Sequence, residues 1–180
     1  MMIIAASSFQ SCGNGDMEKK DGVDVAKDIN DKNSKQVSDK TSDFMVKSAS
    51  GGMMEVELGK IAQEKAVDAR VKAFGAMMVA DHTTANNEMK IIADGKSVTL
   101  PPALSDEHQK YVDKLKQKSG AEFDQAYISM MVDDHKDDIS EFEDASKMDD
   151  ADIKGFAGKT LPVLKKHLDS AQAINSALKK

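Results

Sequence analysis

The chain has 180 residues, 40% of them apolar and 31% charged, which suffices for one packed domain with a tail and is too polar for a chain embedded throughout in a bilayer. Lys+Arg 25 against Asp+Glu 31 gives a net charge of -6, so no basic surplus exists for a nucleic-acid backbone, and nucleic acid is excluded as a partner. A single Cys and three Pro exclude disulfide-scaffold, Cys-rich zinc and collagen-like classes.

The opening run Met1-Met2-Ile3-Ile4-Ala5-Ala6-Ser7-Ser8-Phe9-Gln10-Ser11-Cys12 is short, apolar and small-residue rich, and it stops at the only Cys. It resembles the end of a secretory signal meeting a bacterial lipobox, with Ser11 before a lipid-acceptor Cys12, although Phe9 and Gln10 replace the usual Leu and small residue. No Lys or Arg precedes the stretch, which leaves open a start upstream of Met1. Residues 1–12 are therefore expected to be residual signal peptide, and a lipid anchor would make the membrane surface the partner. Residues 13–42 carry many mixed charges and few large apolar side chains, so a disordered tether is expected there.

From residue 43 to 180 the pattern has period 3.6, and no segment alternates as a strand does. The spacing predicts an all-α domain of four long helices and one short one. The first two run from about Asp43 to Val67 and from about Asp68 to Ala93, before Thr99-Leu100-Pro101-Pro102 stops the helix. Ser105 caps a short helix ending near Gly120, a long one follows from about Ala121 to Lys147, and the last starts at Asp149-Asp150 and reaches the C-terminus.

Every His lies on an apolar stripe. His82 falls in the row Val71, Phe74, Met78, His82, Ala85, Met89; His135 in Ile128, Met131, His135, Ile139, Phe142; His167 in Ala157, Thr160, Leu164, His167, Ala171. His108 joins Leu104, Tyr111 and Leu115 on the short helix, and the first helix places Glu57 in the row Met54, Glu57, Ile61. Met77-Met78-Val79-Ala80-Asp81-His82 recurs as Met130-Met131-Val132-Asp133-Asp134-His135, which indicates two related helix pairs with His82 and His135 at equivalent places.

Asp43-Phe44, Gly52-Met53-Met54-Glu55-Val56-Glu57-Leu58-Gly59, Val71-Lys72-Ala73-Phe74-Gly75, Met78-Val79-Ala80-Asp81-His82, Val98-Thr99-Leu100-Pro101, Phe123-Asp124-Gln125-Ala126-Tyr127 and Leu161-Pro162-Val163-Leu164-Lys165-Lys166-His167-Leu168 appear in that order. From about Asp43 to Ala177 the chain resembles a ferritin-like family of exported bacterial proteins that carries a domain of unknown function. The resemblance implies a ferritin-like four-helix bundle and a cell-envelope location, periplasmic or at the outer membrane. It implies no activity.

Bundles place metal ligands in their cores from facing helices, so Glu57, His82, His135 and His167 form the candidate constellation for a single transition metal such as zinc or iron. Asp81, Asp134 and Asp138 are candidate partners of the imidazoles. The opposing reading is a metal-free network of neutral, satisfied imidazoles, and residue type alone places it ahead of the metal. Met78 and Met131, one turn before His82 and His135, would suit copper, but Met on a stripe is more often core packing. A di-iron oxidase needs Glu three residues before His, and Val79, Val132, Leu164 and Ser105 stand there instead. No catalytic residue is assigned. Two function classes stay open, a metal-binding bundle and an envelope interaction or stress-tolerance protein with a structural polar core.

Overall fold

The computed structural model describes residues 21–33 and 37–179. The described residues form six helices and no strand: α1 (Gly22–Asn33), α2 (Asp39–Lys65), α3 (Ala69–Lys96), α4 (Asp106–Lys116), α5 (Gly120–Ala145) and α6 (Ala151–Leu178). Helix starts follow local chemistry. Ser38, Asp68, Ser105 and Asp150 each sit in extended backbone and accept a backbone N–H from the first turn of the helix they precede. α3 stops at Ser97, whose φ of 55° is left-handed, and its N–H closes on the last carbonyls.

α2 pairs with α3 and α5 with α6, and the two hairpins join through α3 against α6 and α2 against α5. This is the expected four-helix bundle, with α4 laid across α2 and α5. α2 and α3 approach closely at Gly59 and Gly75, where a Cβ on either glycine would stand 2.7 Å from the other's carbonyl oxygen. Only a residue without Cβ allows that crossing. The corner between α2 and α3 is held by the buried Asp124 of α5, whose carboxylate accepts the Val67 N–H at 3.1 Å and the Asp68 N–H at 2.8 Å.

Part of the segment expected as a disordered tether is helical. α1 packs on α2 through buried Ala26 and Asn30, and α2 begins at Asp39, ahead of the expected Asp43. The anchor is polar. Asn30 Oδ1 accepts the Thr99 N–H at 2.7 Å and its amide donates to the Thr99 carbonyl at 2.9 Å, while Asp21 Oδ2 accepts the Asp106 N–H at 2.7 Å. A helix held by side-chain clips to a loop carries almost no apolar stripe, so hydrophobic periodicity misses it. Residues 13–20, and Cys12 with the lipobox-like run, lie outside the described residues. No helix among the described residues is long and apolar enough to cross a membrane.

The core divides into two apolar clusters. One holds Leu58, Phe74, Met78, Phe123, Tyr127, Met131 and Ala171, and the other Phe44, Met45, Met89, Phe142, Phe156 and Leu164. On α3, α5 and α6 the residue between the two clusters is a histidine: His82 follows Met78 and precedes Met89, His135 lies between Met131 and Phe142, and His167 between Leu164 and Ala171. A polar layer therefore interrupts an otherwise dry bundle.

Candidate metal centre

His82, His135 and His167 are 6%, 0% and 0% exposed, and one ring nitrogen of each lies within 4.8 Å of one from each of the others. The carboxylate that joins them is Glu55, 1% exposed. Its Oε2 is 2.6 Å from His82 Nδ1 and its Oε1 is 3.5 Å from His135 Nε2. His135 Nε2 in turn stands 3.3 Å from His167 Nδ1.

The outer nitrogens fix the tautomers of two rings. His135 Nδ1 lies 3.0 Å from the Met131 carbonyl oxygen, which can only accept, so Nδ1 carries the proton and donates. His167 Nε2 lies 2.8 Å from Asp81 Oδ2 and donates to that half-exposed carboxylate. In the neutral rings His135 Nε2 and His167 Nδ1 are then both bare lone pairs. Two lone pairs facing at 3.3 Å repel unless a cation or an added proton lies between them.

Burial decides the protonation states. Removal from water pushes His82 down to about 4 and His135 to about 3, where the neighbouring imidazoles add to the effect. His167 is lowered for the same reason, with its bond to Asp81 opposing. Burial raises Glu55, Asp134 and Asp138 well above the usual carboxylate range, and for the two aspartates the proximity of Glu55 raises them further. The imidazoles are neutral and ligand-competent at pH 7. Glu55 Oε1, His82 Nε2, the Tyr127 hydroxyl and Asp134 Oδ2 are buried without a hydrogen-bond partner, an unusual concentration of orphaned polar atoms in one layer.

Residues 26–174 match the family described as domain of unknown function, DUF4142. The chain belongs to the DUF4142 family. No curated protein and no solved structure matches it.

In this DUF4142 chain the three core histidines expected from the sequence converge, and the expected carboxylate does not join them. Glu57 points away from the layer, 40% exposed in its side chain, and pairs with Lys116 of α4 at 3.1 Å. Glu55 takes its place. On α2 the residues facing α3 are Gly52, Glu55, Gly59 and Ala62, a row of steps three and four in which every other member is small. Small residues mark the closest approach of the paired helix, so a carboxylate in that row is buried; the row Met54, Glu57, Ile61 lies at the edge of the same stripe. That was the available signal for Glu55.

The remaining candidates divide. Asp81 holds His167, and Asp134 offers a carboxylate oxygen within 4.8 Å of ligand atoms on Glu55 and His135. Asp138 lies beside Glu55 and His82 in the wall of a small cavity. Met78 and Met131 are fully buried in the apolar cluster, and Met131 serves the layer through its carbonyl. His108 stands apart, with Nδ1 2.9 Å from the Ser50 hydroxyl. Among the glycines, Gly52 abuts Asn86, whereas Gly51, Gly155 and Gly158 meet nothing within 4 Å and serve no close helix packing.

Proposed function

We propose that this bundle holds one divalent transition metal of the zinc or iron class in its polar layer, through His82, His135 and His167 with Glu55 beside them. The observation that carries the reading is the 3.3 Å separation of His135 Nε2 and His167 Nδ1, two nitrogens whose opposite N–H groups are already committed to Met131 and Asp81. Two ligands about 2.0 Å from a tetrahedral ion stand ~3.3 Å apart. Metal-bound histidines characteristically donate their outer N–H to a carbonyl or carboxylate, which is the role of Met131 O and Asp81 here. The buried Glu55 supplies the negative charge that a divalent cation needs in a dry site. Three imidazoles and a carboxylate suit zinc or iron(II), and copper is favoured less because Met78 and Met131, whose thioethers would suit it, belong to the apolar cluster.

An additional proton on His167, making an imidazolium against Asp81, is the competing answer to the facing lone pairs. Burial opposes it, since it would leave a charge in a 0% exposed ring. The ferritin-like resemblance, the lipid anchor at Cys12 and the envelope location join this reading as proposals from the sequence: a tethered metal-holding bundle at the membrane surface. Elemental analysis of untagged protein tests the metal. The expected result is one equivalent per chain and a thermal midpoint lowered by chelator. A metal-free protein whose midpoint ignores both zinc and chelator would support the structural network instead.

A further inference from the structure

The metal-binding reading leaves open how a hydrated cation reaches a buried layer, and one face of the bundle answers that. Along α5 the residues Asp134, Asp137, Asp138 and Glu141 recur at helical spacing and line a surface groove of about 450 Å³, closed on its other sides by α1, α2 and α4, with Lys27 of α1 and Lys47 of α2 among its walls. Lys47 pairs with Glu141 at 3.8 Å, whereas no basic side chain among the described residues pairs with Asp134, Asp137 or Asp138. The groove thus holds the exposed Asp137 beside the half-buried Asp134 and Asp138, none of the three paired with a base among the described residues.

Two of them also reach inward. Asp138 lines both this groove and a separate cavity of about 20 Å³, room for one water, whose other walls include Glu55 and His82. Asp134 lines the groove while standing within 4.8 Å of ligand atoms on Glu55 and His135. Glu55 Oε1, in a side chain 1% exposed, has no hydrogen-bond partner and stands 3.5 Å from His135 Nε2. Carboxyl groups therefore extend from the groove wall to within 4.8 Å of a nitrogen ligand.

We infer that this groove is the loading face of the metal centre, where Asp137 and Asp138 capture a hydrated divalent cation and Asp134 with Glu55 pass it to His135 and its partners. Carboxylates bind such ions weakly and exchange them fast, whereas buried imidazoles hold them, so the order of ligands matches the direction of transfer. Acidic side chains outnumber Lys27 and Lys47 on the groove walls, and a cleft of net negative charge raises the local cation concentration and the capture rate.

The inference rests on the imidazole site, and its test is the rate of uptake, which equilibrium binding does not report. Cobalt(II) is mixed with the metal-free full chain at low ionic strength, and the visible absorption of the nitrogen-bound ion is followed by stopped flow. Asp138→Asn and the exposed Asp137→Asn should each slow uptake, and the double variant by about tenfold or more, with the final spectrum and stoichiometry of the wild type. Asp133→Asn, on the outer face of α5 with the same charge change, should load at the wild-type rate. Salt near 0.5 M should bring all five chains together. Equal slowing in Asp133→Asn, or unchanged rates in the groove variants, would overturn the loading face while leaving the site intact. Absence of cobalt uptake in every chain would refute the imidazole site and the loading face with it.

Discussion

His135 Nε2 and His167 Nδ1 stand 3.3 Å apart at the centre of the bundle, each on a ring whose other nitrogen already donates to an acceptor outside the pair. Neither ring can turn to relieve the approach without breaking its outer bond. Such an arrangement is costly alone and favourable around a cation, so the site variants should divide by what they do to metal and not only by stability.

Glu55→Gln and Glu57→Gln are the most discriminating pair on α2. Removing the buried carboxylate should abolish or weaken metal binding by tenfold or more, since the cation loses a fully buried counter-charge. Removing Glu57 breaks a partly exposed pair with Lys116 and should leave metal content unchanged, costing less than about 1 kcal/mol. Elemental analysis and urea unfolding of both variants check this.

His135→Ala and His167→Ala should lose the chelator sensitivity of the thermal midpoint. For the wild type held at about 100 times the dissociation constant, linkage gives ~2.7 kcal/mol of metal-dependent stability, and both variants should show none.

In the metal-free protein the pH dependence has two signs. Burial lowers His82 to about 4 and His135 to about 3 against about 6.5 unfolded, so the unfolded chain binds more protons between those values and the imidazole contribution is lost as pH falls below 6.5. Asp138 is raised, so its contribution is present at low pH and lost as pH rises through its folded value. The imidazoles act in the opposite direction, so a fall in the urea midpoint with rising pH belongs to the raised carboxyls. Asp138→Asn should flatten that fall.

Glycine positions supply a packing test. Gly59→Ala puts a Cβ 2.7 Å from the Gly75 carbonyl oxygen and should cost about 1 to 3 kcal/mol by forcing α2 and α3 apart. Gly155→Ala meets no atom within 4 Å and should stabilise α6 by roughly 0.5 to 1 kcal/mol. Equal effects at the two sites would contradict the helix pairing.

Much of this molecule is written in periodicity. The four long helices, the short α4 and the three core histidines are legible because each His interrupts a row of large apolar residues, such as Met78, His82, Met89. α1 is not legible, because its buried face consists of Ala26 and an Asn30 that binds backbone. Glu55 was missed for a related reason. Its row is built from Gly52, Gly59 and Ala62, whose burial comes from close helix approach and leaves no hydrophobic peak in the sequence. The tautomers set by Met131 O and Asp81, and the 3.3 Å approach that follows, need coordinates.

The central claim is that a metal ion, and not a proton, answers the facing nitrogens of His135 and His167. Anomalous diffraction at the zinc edge, on crystals of untagged full chain grown with one equivalent of zinc, tests it most directly. The account predicts a single strong peak about 2.0 to 2.1 Å from both His135 Nε2 and His167 Nδ1, with a nitrogen of His82 completing the imidazole set. No peak in the layer, with the two rings still in contact and zinc found only on surface carboxylates, would contradict it.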